Sequence, residues 1–328
     1  MREAFLRVGT RTVASLVFLL LVAGALVTST ESGLAVPDWP LSYGKVMPPM
    51  VGGILYEHGH RLIAAAVTTL VGLEFGGIFF FLERERKTLK LLAGAAFGAI
   101  LLQALLGGLT VLLLLPPAIS SAHAALAEIV FALTAVVALM CSKTWTDLTT
   151  APLDPPFKEN SSPPSFSSAE ISSAFQWTLA ATAAIFIQIV LGAVMRHTGA
   201  GLAIPDFPTS FGGLFPSAAE LGRSGVAIHF AHRLSAVVVL LLVAGAVRAL
   251  SRASASSPLF ASFAATWAGL VTIQVLLGAL SVWSRRAASL TTAHLAIGAL
   301  CWVTGVLALV CLGAFRNRPN ALSSPRRA

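Results

Sequence analysis

Histidine is the residue type in this chain best equipped for chemistry, and its placement repeats. There are seven: His58, His60, His123, His197, His229, His232 and His294. His60-Arg61 recurs as His232-Arg233, and His123 recurs as His294, at an offset of about 170 residues. A neutral imidazole accepts a proton or binds a transition metal. Each of the four recurring histidines falls near the same end of an apolar stretch, so the two in each half share one depth. Two imidazoles facing each other across a helix bundle suit a planar metal macrocycle, because imidazole is a common axial ligand of heme iron. A lone histidine at a helix end more simply sits at an interface, bonded to water. Two pairs at matched depth argue for the macrocycle. Structural zinc takes four ligands, and two imidazoles per half fall short.

Other residues cluster around these. Arg61 and Arg233 follow the first histidine of each pair, and a guanidinium there can hold a carboxylate such as a heme propionate. The plainer alternative is snorkelling to the interface. Glu57 lies three residues before His60 and shares its helix face. The corresponding residue of the second half is His229. That difference suggests one reacting site and one electron-transfer site, unless Glu57 is a solvated loop carboxylate. Asp38 and Asp206 stand in repeated PD-x-P loops, stiffened by proline and entered through Gly33 and Gly201. These loops read as structural lids carrying Trp39 and Phe207. Gln103 and Gln274 lie inside apolar runs, where an amide needs a partner. They bridge helices or touch a cofactor. Gly107, Gly108 and Gly278 permit close helix approach. His58 and His197 have no counterpart in the other half and read as exposed.

The elements that must position these groups are membrane helices. The chain has 328 residues, 56% of them hydrophobic and only 11% charged, whereas a soluble domain carries roughly a quarter charged residues. Apolar runs of about 20 residues recur, each long enough to cross a bilayer as a helix. Alternating segments of the β-barrel kind are not seen. Helices are expected near 12–30, 58–82, 89–113, 121–141, 173–195, 228–250, 259–283 and 291–313. The first run, Val13 to Val27, follows Arg2, Arg7 and Arg11 and reads as a retained helix rather than a cleaved leader. The net charge of +8 does not point to nucleic acid, because the basic residues sit in loops between apolar runs. Of 22 Lys and Arg, 15 fall on one side of the eight spans and five on the other. Both termini are therefore expected in the cytoplasm and the histidines toward the outer face of a plasma membrane. Cys141, Cys301 and Cys311 show no metal or disulfide spacing and read as small buried residues.

The repeat sets the organisation. Residues 24–44, GALVTSTESGLAVPDWPLSYG, align without a gap to 192–212, GAVMRHTGAGLAIPDFPTSFG, and QALLGGLTV at 103–111 matches QVLLGALSV at 274–282. Chance similarity is common in apolar helices but not in a polar loop. The expected fold is all-α, eight transmembrane helices as two tandem four-helix bundles, parallel because four is even. The halves are 1–141 and 173–328, joined by a Pro/Ser-rich flexible linker over 142–172.

Taken together, Ser32-Gly33-Leu34-Ala35, Pro37-Asp38-Trp39-Pro40, Glu57-x-x-His60-Arg61, Gln103-x-x-x-Gly107, His123, His232-Arg233 and His294 resemble the heme A synthase family over almost the whole chain. The resemblance implies oxidation of the C8 methyl of heme O to a formyl group by successive hydroxylations, giving heme A for terminal oxidases. It also implies that His232 and His294 ligate a heme b cofactor, with Arg233 beside them. His60 and His123 would flank the substrate heme, with Arg61 beside them, and Glu57 would be the functionally important carboxylate. Implied partners are heme O, the membrane enzyme that makes it, membrane lipid and an electron donor. A homo-oligomer stays open. One departure stands out. Many relatives carry a cysteine pair in the first outer loop, but here those places hold Val36 and Ser42, and in the second half Ile204 and Ser210. The rival readings are a non-enzymatic di-heme cytochrome and a transporter. Transporter sites lie near the midplane, which the histidines do not.

Overall fold

A computed structural model describes residues 2–81, 86–150, 168–254 and 257–317. Eight helices in it are long and apolar enough to cross a membrane. They are α1 (Arg2–Ser29), α2 (Gly53–Val71, continuing through a π turn at Gly72–Gly76 into Gly77–Phe81), α3 (Lys87–Leu112) and α4 (Pro117–Met140). The second set is α5 (Ser168–His197), α6 (Val226–Ala253), α7 (Pro258–Trp283) and α8 (Ala288–Arg316). No strand forms among the described residues beyond isolated bridges in the two PD-x-P loops. The all-α membrane fold expected from composition is borne out.

Local chemistry explains the element limits. Pro117 and Pro258 open α4 and α7 at positions where a missing N–H costs nothing. Buried hydroxyls would be unsatisfied in lipid, so Thr10, Thr182 and Thr304 donate to their own helix carbonyls four residues back. Two boundaries differ from expectation. α1 begins at Arg2 rather than near residue 12, because Glu3, Leu6 and the arginines are adequate helix formers and Glu3 pairs with Arg86 at 2.6 Å. The stretch read as linker begins with a helix, Lys143–Thr150, started by the Ser142 hydroxyl accepting from the Trp145 amide, and α5 already runs from Ser168. The Pro/Ser-rich centre of that linker, 151–167, lies outside the described residues.

Within each repeat the helices contact one another in a ring, α1–α2–α3–α4 and α5–α6–α7–α8. The rings meet through α1 on α8, α4 on α5 and α4 on α8. Burial singles out α8 and α4, at 56% and 44% of their apolar windows, against at most 28% for the other six. Helix α8 serves both cores, with Ala299 and Val303 in that of the first half and Cys301 and Trp302 in that of the second. All three cysteines are buried and free, as their spacing suggested. The backbone repeats as well. Tyr43 and Phe211, Leu114 and Arg285, and Leu115 and Arg286 all adopt positive φ at matching places.

Candidate functional site

The four recurring histidines enter at one depth. His60 is the eighth residue of α2, and His123, His232 and His294 are each the seventh residue of α4, α6 and α8. Each imidazole lies edge-on against a glycine of the neighbouring helix. A β-carbon added at Gly24 of α1 would stand 3.1 Å from Cε1 of His60. The corresponding distances are 3.0 Å for Gly107 of α3 and His123, 3.0 Å for Gly192 of α5 and His232, and 3.2 Å for Gly278 of α7 and His294. All four are tighter than ordinary van der Waals contact, so no larger residue fits without moving the ring. The rule is the same four times: an even-numbered helix supplies the imidazole and the preceding odd-numbered helix supplies the glycine that seats it.

Glutamine amides hold three of the rings. Gln103, Gln188 and Gln274 place Nε2 at 3.4 Å from Nε2 of His123, His232 and His294. Gln103 also donates to the His123 carbonyl at 3.0 Å and Gln188 to the His232 carbonyl at 2.8 Å. Of the two readings of Gln103, the helix bridge is the one observed. His294 Nδ1 lies 3.2 Å from the Gln274 carbonyl. That partner assigns its proton to Nδ1 and leaves Nε2 with a lone pair, the tautomer a metal ligand needs.

Buried polar atoms without partners collect at the same places: Nδ1 of His60, His123 and His232, and Oε1 of Gln103 and Gln274. Such atoms normally cost roughly 1–3 kcal/mol each, and their clustering marks a site built for something beyond the protein's own packing. Neutral imidazole pairs at equal depth, seated on glycine and facing apolar surroundings, fit an iron macrocycle.

The structure redirects Arg61 and Arg233. Neither extends a free fork toward a propionate. Arg61 Nη1 donates to the carbonyls of Asp38 (2.6 Å) and Leu41 (3.0 Å), and its Nη2 to the Val36 carbonyl (3.1 Å) and the Glu57 carboxylate (2.5 Å). Arg233 donates to Thr209 and Ile204 carbonyls and to His229. Both arginines strap the PD-x-P loop to the helix that carries the first histidine.

Glu57 lies in the same clamp. It is 3% exposed, so it is not a solvated loop carboxylate. Its Oε2 accepts the Val36 amide at 2.7 Å while Oε1 pairs with Arg61. His229 occupies the equivalent place, with Nδ1 at 3.2 Å from the Ile204 amide and Nε2 at 3.2 Å from Arg233 Nε. The two residues occupy one clamping position, but the Glu57 carboxylate accepts both partners whereas a neutral imidazole accepts at only one nitrogen, so His229 makes one of these two bonds at a time. His58 is also not exposed. It is 5% accessible and Nδ1 lies 2.7 Å from the Ser42 hydroxyl, while His197 is half-buried. The positions where relatives carry cysteines, Val36 and Ser42, are both fully buried and tied to Glu57 and His58. The loop is therefore fixed without a disulfide.

The loop aspartates cap the turns that follow them. Asp38 accepts from the Tyr43 and Gly44 amides at 2.6 and 2.8 Å. Asp206 accepts from the Phe211 and Gly212 amides and the Thr209 hydroxyl. The Gly44 and Tyr43 amides hold the Asp38 carboxyl below its usual range. The Thr209 hydroxyl, then the amides of Gly212 and Phe211, lower that of Asp206 to about 2. Trp39 lies over Gly108, where an added β-carbon would meet its ring at 2.7 Å. This agrees with the lid reading. Gln188 and Ser235, whose hydroxyl donates to Gln188 Oε1, were not singled out from the sequence. Their first-half counterparts, Leu20 and Ile63, are apolar. The signal was a lone amide in an apolar run, masked by having no counterpart in the other half.

Residues 51–306 match the profile of the cytochrome oxidase assembly protein family, COX15-CtaA. A heme A synthase of Symbiobacterium thermophilum is 30% identical over 233 residues, covering 70% of each chain. One of Halalkalibacterium halodurans is 30% identical over 229 residues, covering 69% of each. One of Geobacillus thermodenitrificans is 26% identical over 326 residues, covering 97% of this chain and 94% of its own. The matched region takes in both histidine pairs, their glycine seats on α3, α5 and α7, Arg61, and Arg233 with the second PD-x-P loop. The chain belongs to the heme A synthase family of cytochrome oxidase assembly proteins.

Proposed function

We infer that the protein is a heme A synthase, which oxidises the C8 methyl of heme O to a formyl group by successive hydroxylations. The observation that carries this reading is the fourfold seat, a buried imidazole on glycine at one depth, two in each half. His232 and His294 are assigned to a resident heme b in the second half, residues 173–328. His60 and His123 are assigned to the substrate heme in the first half, residues 1–141. Bound iron porphyrin supplies the redox chemistry. The protein's own part is to hold and exclude. The glycine seats fix the rotation of each ring, Gln103 and Gln188 hold the backbone carbonyls of His123 and His232, and the Gln274 carbonyl holds Nδ1 of His294. The arginine clamps keep both loops over the pockets, with Trp39 on Gly108 shutting water from the first.

Charge distribution supports placing both termini in the cytoplasm and the loop end outside. The farnesyl-bearing substrate reaches the first half from lipid, supplied by the membrane enzyme that makes heme O. The test is chromatography of hemes from a heme O-producing host expressing this chain. Heme A or a hydroxylated precursor, appearing with the intact protein and lost with His60→Ala or His123→Ala, is expected. Bound heme b without conversion of heme O would favour a di-heme cytochrome. Folded protein without heme would overturn both.

A further inference from the structure

We propose that Arg196 is a carboxylate-binding residue, gripping the propionate groups of the heme held between His232 and His294. The proposal rests on the heme-binding reading above. Arg196 lies on α5 four residues beyond Gly192, so it shares that helix face one turn nearer the loop end. Gly192 is the seat of His232. Arg196 Nη2 donates to the Ala25 carbonyl at 3.1 Å and to the Ser29 hydroxyl at 2.6 Å, both on α1. The same Ser29 oxygen is bonded by Thr291 and Thr292 of α8 at 3.1 and 2.9 Å. Thr291 stands one turn before His294 on that helix. The guanidinium therefore sits at the loop-end rim of the second pocket, above both ligand histidines, with α1 as its wall.

Its valence there is incomplete. Arg196 is half-buried, and no carboxylate lies within 4 Å of it among the described residues, while Arg61 has Glu57 and Arg86 has Glu3. Only Nη2 has protein acceptors. Nε and Nη1 have no acceptor among the described residues, and their N–H groups are left for ligand oxygens, to which a guanidinium makes charge-assisted bonds. A half-buried cation without a counter-ion is costly, and a propionate supplies the missing charge.

The repeat strengthens the assignment. The first-half counterpart of Arg196 is Thr28, which bonds only its own helix at the Gly24 carbonyl. Likewise Arg286, over Gly201, replaces Leu115, over Gly33, and is held only at 3.8 Å by the exposed Glu31. The second pocket thus carries a cationic rim that the first does not. Arg233, the arginine adjacent to the ligand histidine, is spent on its loop.

The test compares heme b with its dimethyl ester, which keeps the iron and ring but has no carboxylate. Both are titrated into the purified full-length, heme-depleted protein in detergent, with the Soret band and transfer to apomyoglobin as readouts. The parent is expected to hold the diacid roughly 10- to 100-fold more tightly than the ester at the His232–His294 site, the range for a hydrogen bond to a charged group. Arg196→Leu should bind both alike, and Arg196→Lys should restore part of the difference. Ser29→Ala removes the seam bond but keeps the guanidinium, and should retain the preference. It thereby separates ligand binding from loosening of the two halves. An unchanged diacid preference in Arg196→Leu overturns the proposal while leaving the heme reading intact. Failure of the parent to bind either compound, or binding indifferent to His294→Ala, overturns the heme reading and the proposal with it.

Discussion

Replacing Gly192 by alanine should damage the second pocket far more than it damages the fold. The added β-carbon would stand 3.0 Å from Cε1 of His232 and 3.5 Å from its Nδ1. Carbon atoms prefer about 3.5–4.0 Å, so the ring or the helix must give way by roughly 0.5–1 Å. Overpacking of this size costs roughly 1–3 kcal/mol. The gain in helix propensity from glycine to alanine returns up to about 1 kcal/mol. Thermal unfolding should therefore fall only slightly. The imidazole, however, must turn or retreat from the position that Gln188 and the backbone set for it, and mispositioned metal ligands lose affinity on the order of 10- to 100-fold. The assay is heme per protein by pyridine hemochrome, with apomyoglobin transfer for the off-rate. Gly269→Ala on α7, where nothing lies within 4 Å of an added β-carbon, is the control and should keep full heme. Unchanged heme content and off-rate in Gly192→Ala would refute the idea that glycine seats set the ligand geometry.

Gly108→Ala would drive a β-carbon to 2.7 Å from the Trp39 ring and should open the first loop, at a cost of roughly 1–3 kcal/mol. Adding Trp39→Phe should recover most of it, since the second half carries Phe207 and Ala279 at these places. The Asp206 carboxyl, lowered from 3.8 to about 2, stabilises its loop fully above pH 4 and loses that contribution as pH falls toward 2. Pepsin cleavage at Phe207 and Phe211 should rise across that window, and Asp206→Asn should be cut readily at both pH values. Glu57→His copies the second-half clamp. It should keep the loop closed and heme bound, so that loss of heme O conversion would identify a chemical role and retention would identify an anchor. Gln188→Leu, which copies Leu20, should raise the heme off-rate of the second site several-fold without unfolding the protein.

Much of this was legible in the residues. Eight spans follow from apolar runs that only helices can carry through lipid. The paired depth of the histidines follows from their equal distance from helix starts. The partners of charged groups were not legible. Arg61 beside His60 reads as a cofactor clamp in one dimension, but Val36, Asp38 and Leu41 are brought back over it only by a loop whose path the sequence does not reveal. Arg196 reads as an outer-loop charge because it stands at the end of an apolar run, yet the meeting of α1, α5 and α8 half-buries it. Two of the four glycine seats, Gly107 and Gly278, were visible singly as small residues for close approach, and Gly24 and Gly192 were not. Their common purpose appears only when each is seen opposite an imidazole.

The duplication also bears on which heme stays and which leaves. Glu57 and His229 stand at the same place beneath their loops, so the most obvious difference between the halves does not by itself separate substrate from cofactor. Four other differences run in one direction. Leu20 faces Gln188, Ile63 faces Ser235, Thr28 faces Arg196 and Leu115 faces Arg286. At each place the second half has acquired a hydrogen-bond donor or acceptor near its histidines, and the first half has kept an apolar or self-satisfied side chain. Polar groups that orient a ligand and carry its charge lengthen its residence. A pocket lined mainly by apolar contacts releases a hydrophobic ligand more readily to lipid. A resident cofactor belongs in the first kind of pocket and a turning-over substrate in the second. The polar equipment of α5 to α8 thus supports heme b at His232 and His294, and exchange of heme O for heme A at His60 and His123.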